Sequence, residues 1–237
     1  MCRLRIWAVY RELLMCALLW FCPMVVGFAQ ADTTVHAGRA FSLSVGLGVD
    51  ILHAADIVDY SNSISTSGMR SDDFGIAAEF FGSSEIRVSE SWGIKLEYSY
   101  LVNSNDVSAR QGYAHVVNYD IHMPTVLAQY LFLEKGFALK FGGGMGYHVA
   151  EISIPDVIVV SQGKDYTSKG IGIKMEAEGN TEFDEHFFGV ITADIRKDFM
   201  NEITDLSGKA LVIQNTGKHA SMNFFSIGLK FGFIYYF

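Results

Sequence analysis

The sequence predicts an all-β protein, an eight-stranded antiparallel up-and-down transmembrane β-barrel. Three observations predict it: an N-terminal segment ordered like an export leader, roughly eight runs of alternating apolar and polar residues after it, and connections between the runs that are short and long in turn. Each run is about ten residues long, which is what a tilted strand needs to cross a bilayer.

The leader comes first. Arg3, Arg5 and Arg11 precede "LLMCALLWFCPMVVGFA", and the small-residue pattern Ala29-Gln30-Ala31 follows. That is the order of a secretory signal peptide, assigned to 1–31 with cleavage before Asp32, and it leaves 32–237 as one outer-membrane β-barrel domain. The apolar stretch from Leu13 to Ala29 lies at the short edge of the ~20 residues a membrane-spanning helix requires. Leu14-Met15 and Trp20-Phe21 before Cys16 and Cys22 are too bulky for a lipid-modification site.

Cleavage removes Cys2, Cys16 and Cys22, all three cysteines of the chain, so disulfides and thiolate metal sites are excluded from the mature protein. It also removes three of the 18 basic residues and one of the 26 acidic ones, leaving a formal charge of −10. An acidic exported protein is a poor partner for nucleic acid, which requires a clustered positive surface.

In "FSLSVGLGVD", Phe41, Leu43, Val45, Leu47 and Val49 share one face, and Ser42, Ser44, Gly46, Gly48 and Asp50 the other. The second run sets Phe74, Ile76, Ala78 and Phe80 against Gly75, Ala77 and Glu79. The third sets Trp92, Ile94, Leu96, Tyr98 and Tyr100 against Gly93, Lys95, Glu97 and Ser99. A fourth run covers about 121–133. The fifth sets Phe137, Leu139, Phe141, Met145 and Tyr147 against Lys140, Gly142, Gly144, Gly146 and His148. The sixth sets Ile171, Ile173, Met175 and Ala177 against Gly172, Lys174, Glu176 and Glu178. The seventh runs from about 187 to 198, and the last alternates back from Phe237 to Phe225.

Connections near 82–91, 134–136 and 183–186 are short, and those near 51–71, 103–120, 151–168 and 199–220 are long. This matches short periplasmic turns and long extracellular loops. A soluble sandwich or lipocalin-like barrel also alternates. Here, however, the face opposite the apolar one is rich in Gly and Ser with isolated charges, as suits a narrow interior. The apolar face is aromatic near the strand ends, at Phe41, Trp92, Phe137, Phe233, Tyr235 and Phe237, like an interfacial girdle.

On this parity Glu79, Lys95, Glu97, Lys140, Lys174, Glu176, Glu178, Asp194, Arg196 and Lys230 point inward. Unpaired buried charges are costly, so these must pair. The result is either a salt-bridged plug or a polar conducting lane. Leu101, Leu127 and Leu131 also face inward by parity. The apolar loop stretches "HVVNY", "IPDVIVV" and "ALVIQ" either wall an apolar mouth or extend the strands above the membrane. The closing "LKFGFIYYF", with Phe231, Phe233, Tyr235 and Phe237 on one face, is a candidate assembly signal for the barrel-insertion machinery.

The stretches "IHMPTVLAQYLF" and "FALKFGGGMGYH", followed by "KGIGIKMEAEGNTEFDEHFFGVITADIRKDF", resemble the OmpW family of small outer-membrane barrels over roughly 121–237. The resemblance implies an eight-stranded barrel with an apolar extracellular cup. Small hydrophobic molecules would enter that cup and leave sideways where a proline interrupts strand pairing. Pro124 is the matching position, a residue that supplies no ladder hydrogen bond, and on this likeness Leu101, His122, Pro124, Leu127 and Leu131 form a candidate path for a ligand. Family members often have two prolines there, whereas Met123 precedes the single one here.

No enzymatic motif is present. His36, His53, His115, His122, His148, His186 and His219 are scattered, and "GGGMG" lacks the Lys-Ser/Thr of a phosphate loop. The expectation is a non-enzyme without cofactor or metal in the outer membrane of a diderm bacterium, in contact with lipid. It is a narrow channel or uptake path for small hydrophobic solutes, or else a surface-exposed interaction barrel working through its long loops.

Overall fold

A computed structural model describes residues 40–64, 75–108, 114–134, 137–154 and 164–237. The leader, Phe74 and most of "IPDVIVV" lie outside the described residues.

Eight long strands are present: β1 (Phe41–His53), β2 (Gly75–Arg87), β3 (Trp92–Ser108), β4 (Ala114–Glu134), β5 (Phe137–Ile154), β6 (Lys164–Asp184), β7 (Phe187–Met200) and β9 (Phe224–Tyr236). A helix α1 (Ala55–Ile64) follows β1, and a two-residue strand β8 (Thr204–Asp205) lies between β7 and β9. Every pairing is antiparallel. Neighbours in sequence pair with each other, β5 pairs with β6, and β9 pairs with both β7 and β1. The sheet therefore closes on itself with no free edge.

Parity along the strands matches the sequence. On β1, Leu43, Val45, Leu47, Val49 and Ile51 are 43–64% exposed, whereas Ser42, Ser44, Asp50 and Leu52 are buried. The same inversion holds around the barrel, with Ile94, Val126, Phe141, Ile173, Ile195 and Leu229 all outward and exposed. An exterior this apolar is stable only against lipid. No helix among the described residues is long and apolar enough to cross a membrane; the strands do the crossing.

At the short-turn end the exterior is a belt of touching rings. Trp92 meets Tyr130 at 5.3 Å, Tyr130 meets Phe132 at 4.8 Å, Phe187 stacks on Phe233 at 5.1 Å, and Phe41 meets Phe237 at 5.4 Å. The N–H of Phe237 donates to the Phe41 carbonyl at 3.0 Å, so the last residue seals the β1–β9 seam.

The strands are longer at the other end than the alternation alone suggests. The third and fourth run on to Ser108 and Ala114 as a paired hairpin, so most of the expected 103–120 loop is sheet, including "HVVNY". Pairing with β3 and inward burial of Val117 and Tyr119 make this possible without membrane contact. Likewise β2 reaches Arg87, which shortens the turn before Trp92.

The glycine run of β5 has a steric reason. A Cβ on Gly144 would lie 2.0 Å from the Val126 carbonyl oxygen, so only glycine permits that approach of β4 to β5.

Candidate functional site

The interior is filled in three levels. At the short-turn end Phe81, Phe188, Val190 and Ile234 pack together beside Tyr236. At the long-loop end a larger apolar cluster fills the mouth. It joins Leu52, Leu101, Val117, Ile121, Met123, Ile152 and Phe224 of the wall to Ile57 of α1 and to Ile203, Leu211, Ile213 and Met222 of the segment between β7 and β9. Between them lies a band of charge.

All ten charged residues expected inside are inside, none more than 5% exposed. The Lys95 ammonium is 2.8 Å from Glu176, 3.0 Å from Glu178 and 3.2 Å from Glu97. Lys174 binds Glu97 and lies 2.8 Å from Glu176. Lys230, on the last strand, reaches Glu79 at 3.2 Å and Glu97 and Asp194 at 3.1 Å each. Arg196 contacts Glu79 at 3.3 Å, and its other amino group donates to the Met123 sulfur at 3.0 Å. Lys140 binds Glu85 and Glu178.

Each cation is thus held by at least two carboxylates, Arg196 by Glu79, by Asp194 at 3.6 Å and by the Met123 thioether as well. Charges desolvated to this degree are tolerable only with such multiple partners. Gln129 adds an amide donor to Glu176 at 2.9 Å.

Asp50, Glu85, His148 and Asp198 belong to the same interior but were not among the expected members. Asp50 and His148 sit on polar parities already visible in the sequence, whereas Glu85 falls where a turn was expected and Asp198 at the very end of the seventh run. His148 is fully buried, bonded through Nδ1 to Asp198, with Nε2 3.2 Å from the Thr125 hydroxyl. The Thr125 hydroxyl also faces the Met123 carbonyl at 3.3 Å. This Thr-His-Asp chain lies beneath the apolar mouth and links β4, β5 and β7 across the lumen.

The five candidate path residues, Leu101 on β3 and the other four on β4, are divided by strand parity. Leu101, Leu127 and Leu131 are buried within the barrel. His122 and Pro124, both even-numbered, project outward instead. The His122 Nδ1 is 2.6 Å from the Tyr98 hydroxyl, and its ring lies 5.0 Å from that of Tyr100. His122 and His148 are consequently on opposite sides of the wall. At Pro124 the ladder to β3 is continuous, but pairing with β5 stops at His122↔Val149 and resumes in the same register at Thr125↔Gly146. The missing N–H of proline accounts for a gap there.

The cap over the long-loop end is a folded unit. The segment 201–223 forms bridges Glu202↔Ser221, Thr204↔Ala210 and Val212↔His219, and β8 adds to the edge of β6 at Tyr166↔Asp205. Its turns place Gly208 and Gly217 at φ of 83° and 69°, the left-handed region that glycine enters without strain. α1 lies against this segment. The Asp56 carboxylate accepts from the Lys218 ammonium at 2.7 Å, the Ser221 N–H at 2.9 Å and the Ser221 hydroxyl at 2.6 Å. Burial pushes the Asp56 carboxyl up, but the hydrogen bonds from Lys218 and Ser221 outweigh it and hold the group below its ordinary value.

The closed eight-stranded sheet, its lipid-facing exterior and its ion-paired interior define an integral outer-membrane β-barrel protein. Solved structures of similar fold agree. The chain is similar to Neisserial surface protein A, at 11% identity and a TM-score of 0.53, covering 84% of this chain and 99% of that one. It is also similar to a major outer membrane protein from Thermus thermophilus, at 12% identity and a TM-score of 0.51, covering 84% and 100%. At these identities the likeness is one of fold. The sequence matches no family model and no curated relative.

Two outcomes follow from the interior and the cap. Lys230→Met leaves Glu79, Glu97 and Asp194 short of a shared cation and should destabilise the barrel by about 3–5 kcal/mol in urea unfolding from lipid vesicles. Lys169→Met on the exposed surface should change it by about 0.5 kcal/mol or less.

For Asp56, a carboxyl held below its unfolded value stabilises at and above the ordinary carboxylate range and loses that contribution as pH falls through the folded value. Docking of α1 is therefore intact at neutral pH and loosens only below about pH 4. Asp56→Asn should loosen it at neutral pH already, with about fivefold faster amide exchange over α1 and unchanged exchange in the barrel strands.

Proposed function

We propose that this protein is a closed-lumen outer-membrane barrel that acts through its long-loop cap at the cell surface, as an interaction protein and without catalysis. The observation that supports this most is the interior ion network, in which Lys95, Lys174, Arg196 and Lys230 are each at most 2% exposed and each paired with buried carboxylates. An aqueous lane through this band would require separating charges that have no other partners. The outward-presented part, by contrast, is an ordered surface built from α1 and the 201–223 hairpins. Its rigid turn presents Leu206, 92% exposed, with Asp205 accepting from the Ser207 and Lys209 backbone at 2.8 and 2.9 Å.

A second reading is favoured by one observation, the interruption of the β4–β5 ladder at Pro124. On this reading the chain is OmpW-like. The apolar mouth admits a small hydrophobic solute once the cap opens, and the solute leaves sideways into the membrane.

Conductance and liposome-swelling measurements on the refolded barrel separate the two. The cap reading expects no conductance above the bare bilayer, and binding to immobilised extracellular-matrix protein that is lost when 205–218 is replaced by a short turn. Conductance steps, or flux of an apolar solute that Pro124→Ala reduces, would overturn it.

We further propose that Phe231, Phe233, Tyr235 and Phe237 are the residues read by the insertion machinery. Deleting Phe237 should reduce the heat-modifiable, membrane-inserted fraction in cells far more than deleting Ser207 from the cap turn. Equal insertion of the two variants would contradict the assignment.

A further inference from the structure

Among the described residues the interior contains eight carboxyl side chains, Asp50, Glu79, Glu85, Glu97, Glu176, Glu178, Asp194 and Asp198, against five Lys and Arg. Seven of the eight have a Lys, Arg or His nitrogen within 4.0 Å. Asp50 is the exception. It is fully buried, and neither of its oxygens receives a hydrogen bond from a donor group.

Its surroundings are well defined by register. On β2, Glu79 is its diagonal neighbour, paired with Gly48, and the two carboxyl groups lie within hydrogen-bonding reach. On β9 it pairs with Gly228, and Gly228 pairs in turn with Asp194 of β7. The absent side chain of Gly228 matters here: a Cβ at that position would fall 2.9 Å from Asp50 Oδ1 and 3.2 and 3.3 Å from the two Asp194 oxygens. The glycine thus leaves two carboxyl groups facing across one small space. The other charged groups facing this point are Lys230 of β9 and Arg196 of β7, both committed to Glu79 and Asp194. Beyond them lie Glu97 of β3 and Lys174 of β6, committed to each other. On β1 itself the other titratable side chain is His53, three residues on and on the opposite parity of the strand.

A carboxylate with no cation and no donor cannot remain ionised in a dry interior beside two other carboxylates. Two carboxyl groups in contact resolve the conflict by sharing one proton. We propose that Asp50 is a proton-holding site: a neutral carboxylic acid that donates its O–H to the Glu79 carboxylate, which also receives Arg196 and Lys230. The interior excess of carboxylates over Lys and Arg falls from three to two, and both oxygens of the pair gain a reason for their contact. The assignment holds for a cap-acting protein and for a solute path alike. It makes the wall formed by β7, β9, β1 and β2 the alkali-sensitive part of the barrel, since loss of that proton sets Asp50, Glu79 and Asp194 against one another.

The test is infrared spectroscopy of the refolded barrel in detergent at neutral pH, with 13C-labelled aspartate. The expected result is a protonated-carboxyl C=O band that shifts with the aspartate label and is lost in Asp50→Asn, an isosteric change whose amide still donates to Glu79. Should that variant not fold, retention of the wild-type band in both Asp194→Asn and Asp198→Asn assigns it to Asp50. Absence of a label-sensitive band in the wild type, persistence of the band in Asp50→Asn, or its loss in Asp194→Asn or Asp198→Asn would overturn the proposal.

Discussion

In hydrocarbon no backbone N–H or C=O can go unpaired, and the rest of this structure follows from that requirement. It forces the sheet to close, β9 onto β1, because an open edge would face lipid. Eight strands enclose a space only wide enough for side chains. Whatever points inward must then pack or pair with what lies opposite. Glycines appear where strands crowd, as at Gly144, and five cations are set among eight carboxyl groups in the middle of the membrane.

The parts of the fold that this requirement governs were legible in the sequence, and the parts it does not govern were not. Leu43 to Ile51 or Ile171 to Met175 betray their direction because lipid outside and a packed lumen inside leave no freedom in the alternation. The inward placement of Lys95, Glu97 and Lys230 follows from parity alone. Above the membrane the constraint lapses. Val117 and Tyr119 continue the sheet where a loop was expected, because outward residues there, such as Asn118, are polar and blur the pattern. α1 was invisible for a related reason. Among its described side chains only Ile57 and Ser61 are buried, with Ala54 just before the helix, too few to stand out from a polar loop.

The candidate site was legible in its membership and illegible in its sidedness at one place. His122 and Pro124 fall on the lipid-facing parity of β4, and grouping them with Leu127 followed family likeness over periodicity. Conversely, the union of His148 with Asp198 joins strands 50 residues apart and leaves no local mark. Such contacts depend on barrel shear, which no single strand encodes. The fold is shared with outer-membrane proteins of very different sequence, so the barrel alone does not define what this chain does.

The position of Lys230 on the final strand has a consequence for how the molecule is made. Its three carboxylate partners lie on β2, β3 and β7, up to 151 residues earlier in the chain. A sheet lacking β9 has therefore not only an open edge but also an acidic band in the membrane that is short of one of its five cations. Edge closure and charge compensation are completed by the same strand at the same moment. The intermediate one strand short is disfavoured twice over, so final closure is cooperative, and a barrel sealed in the wrong register would be marked by its residual charge.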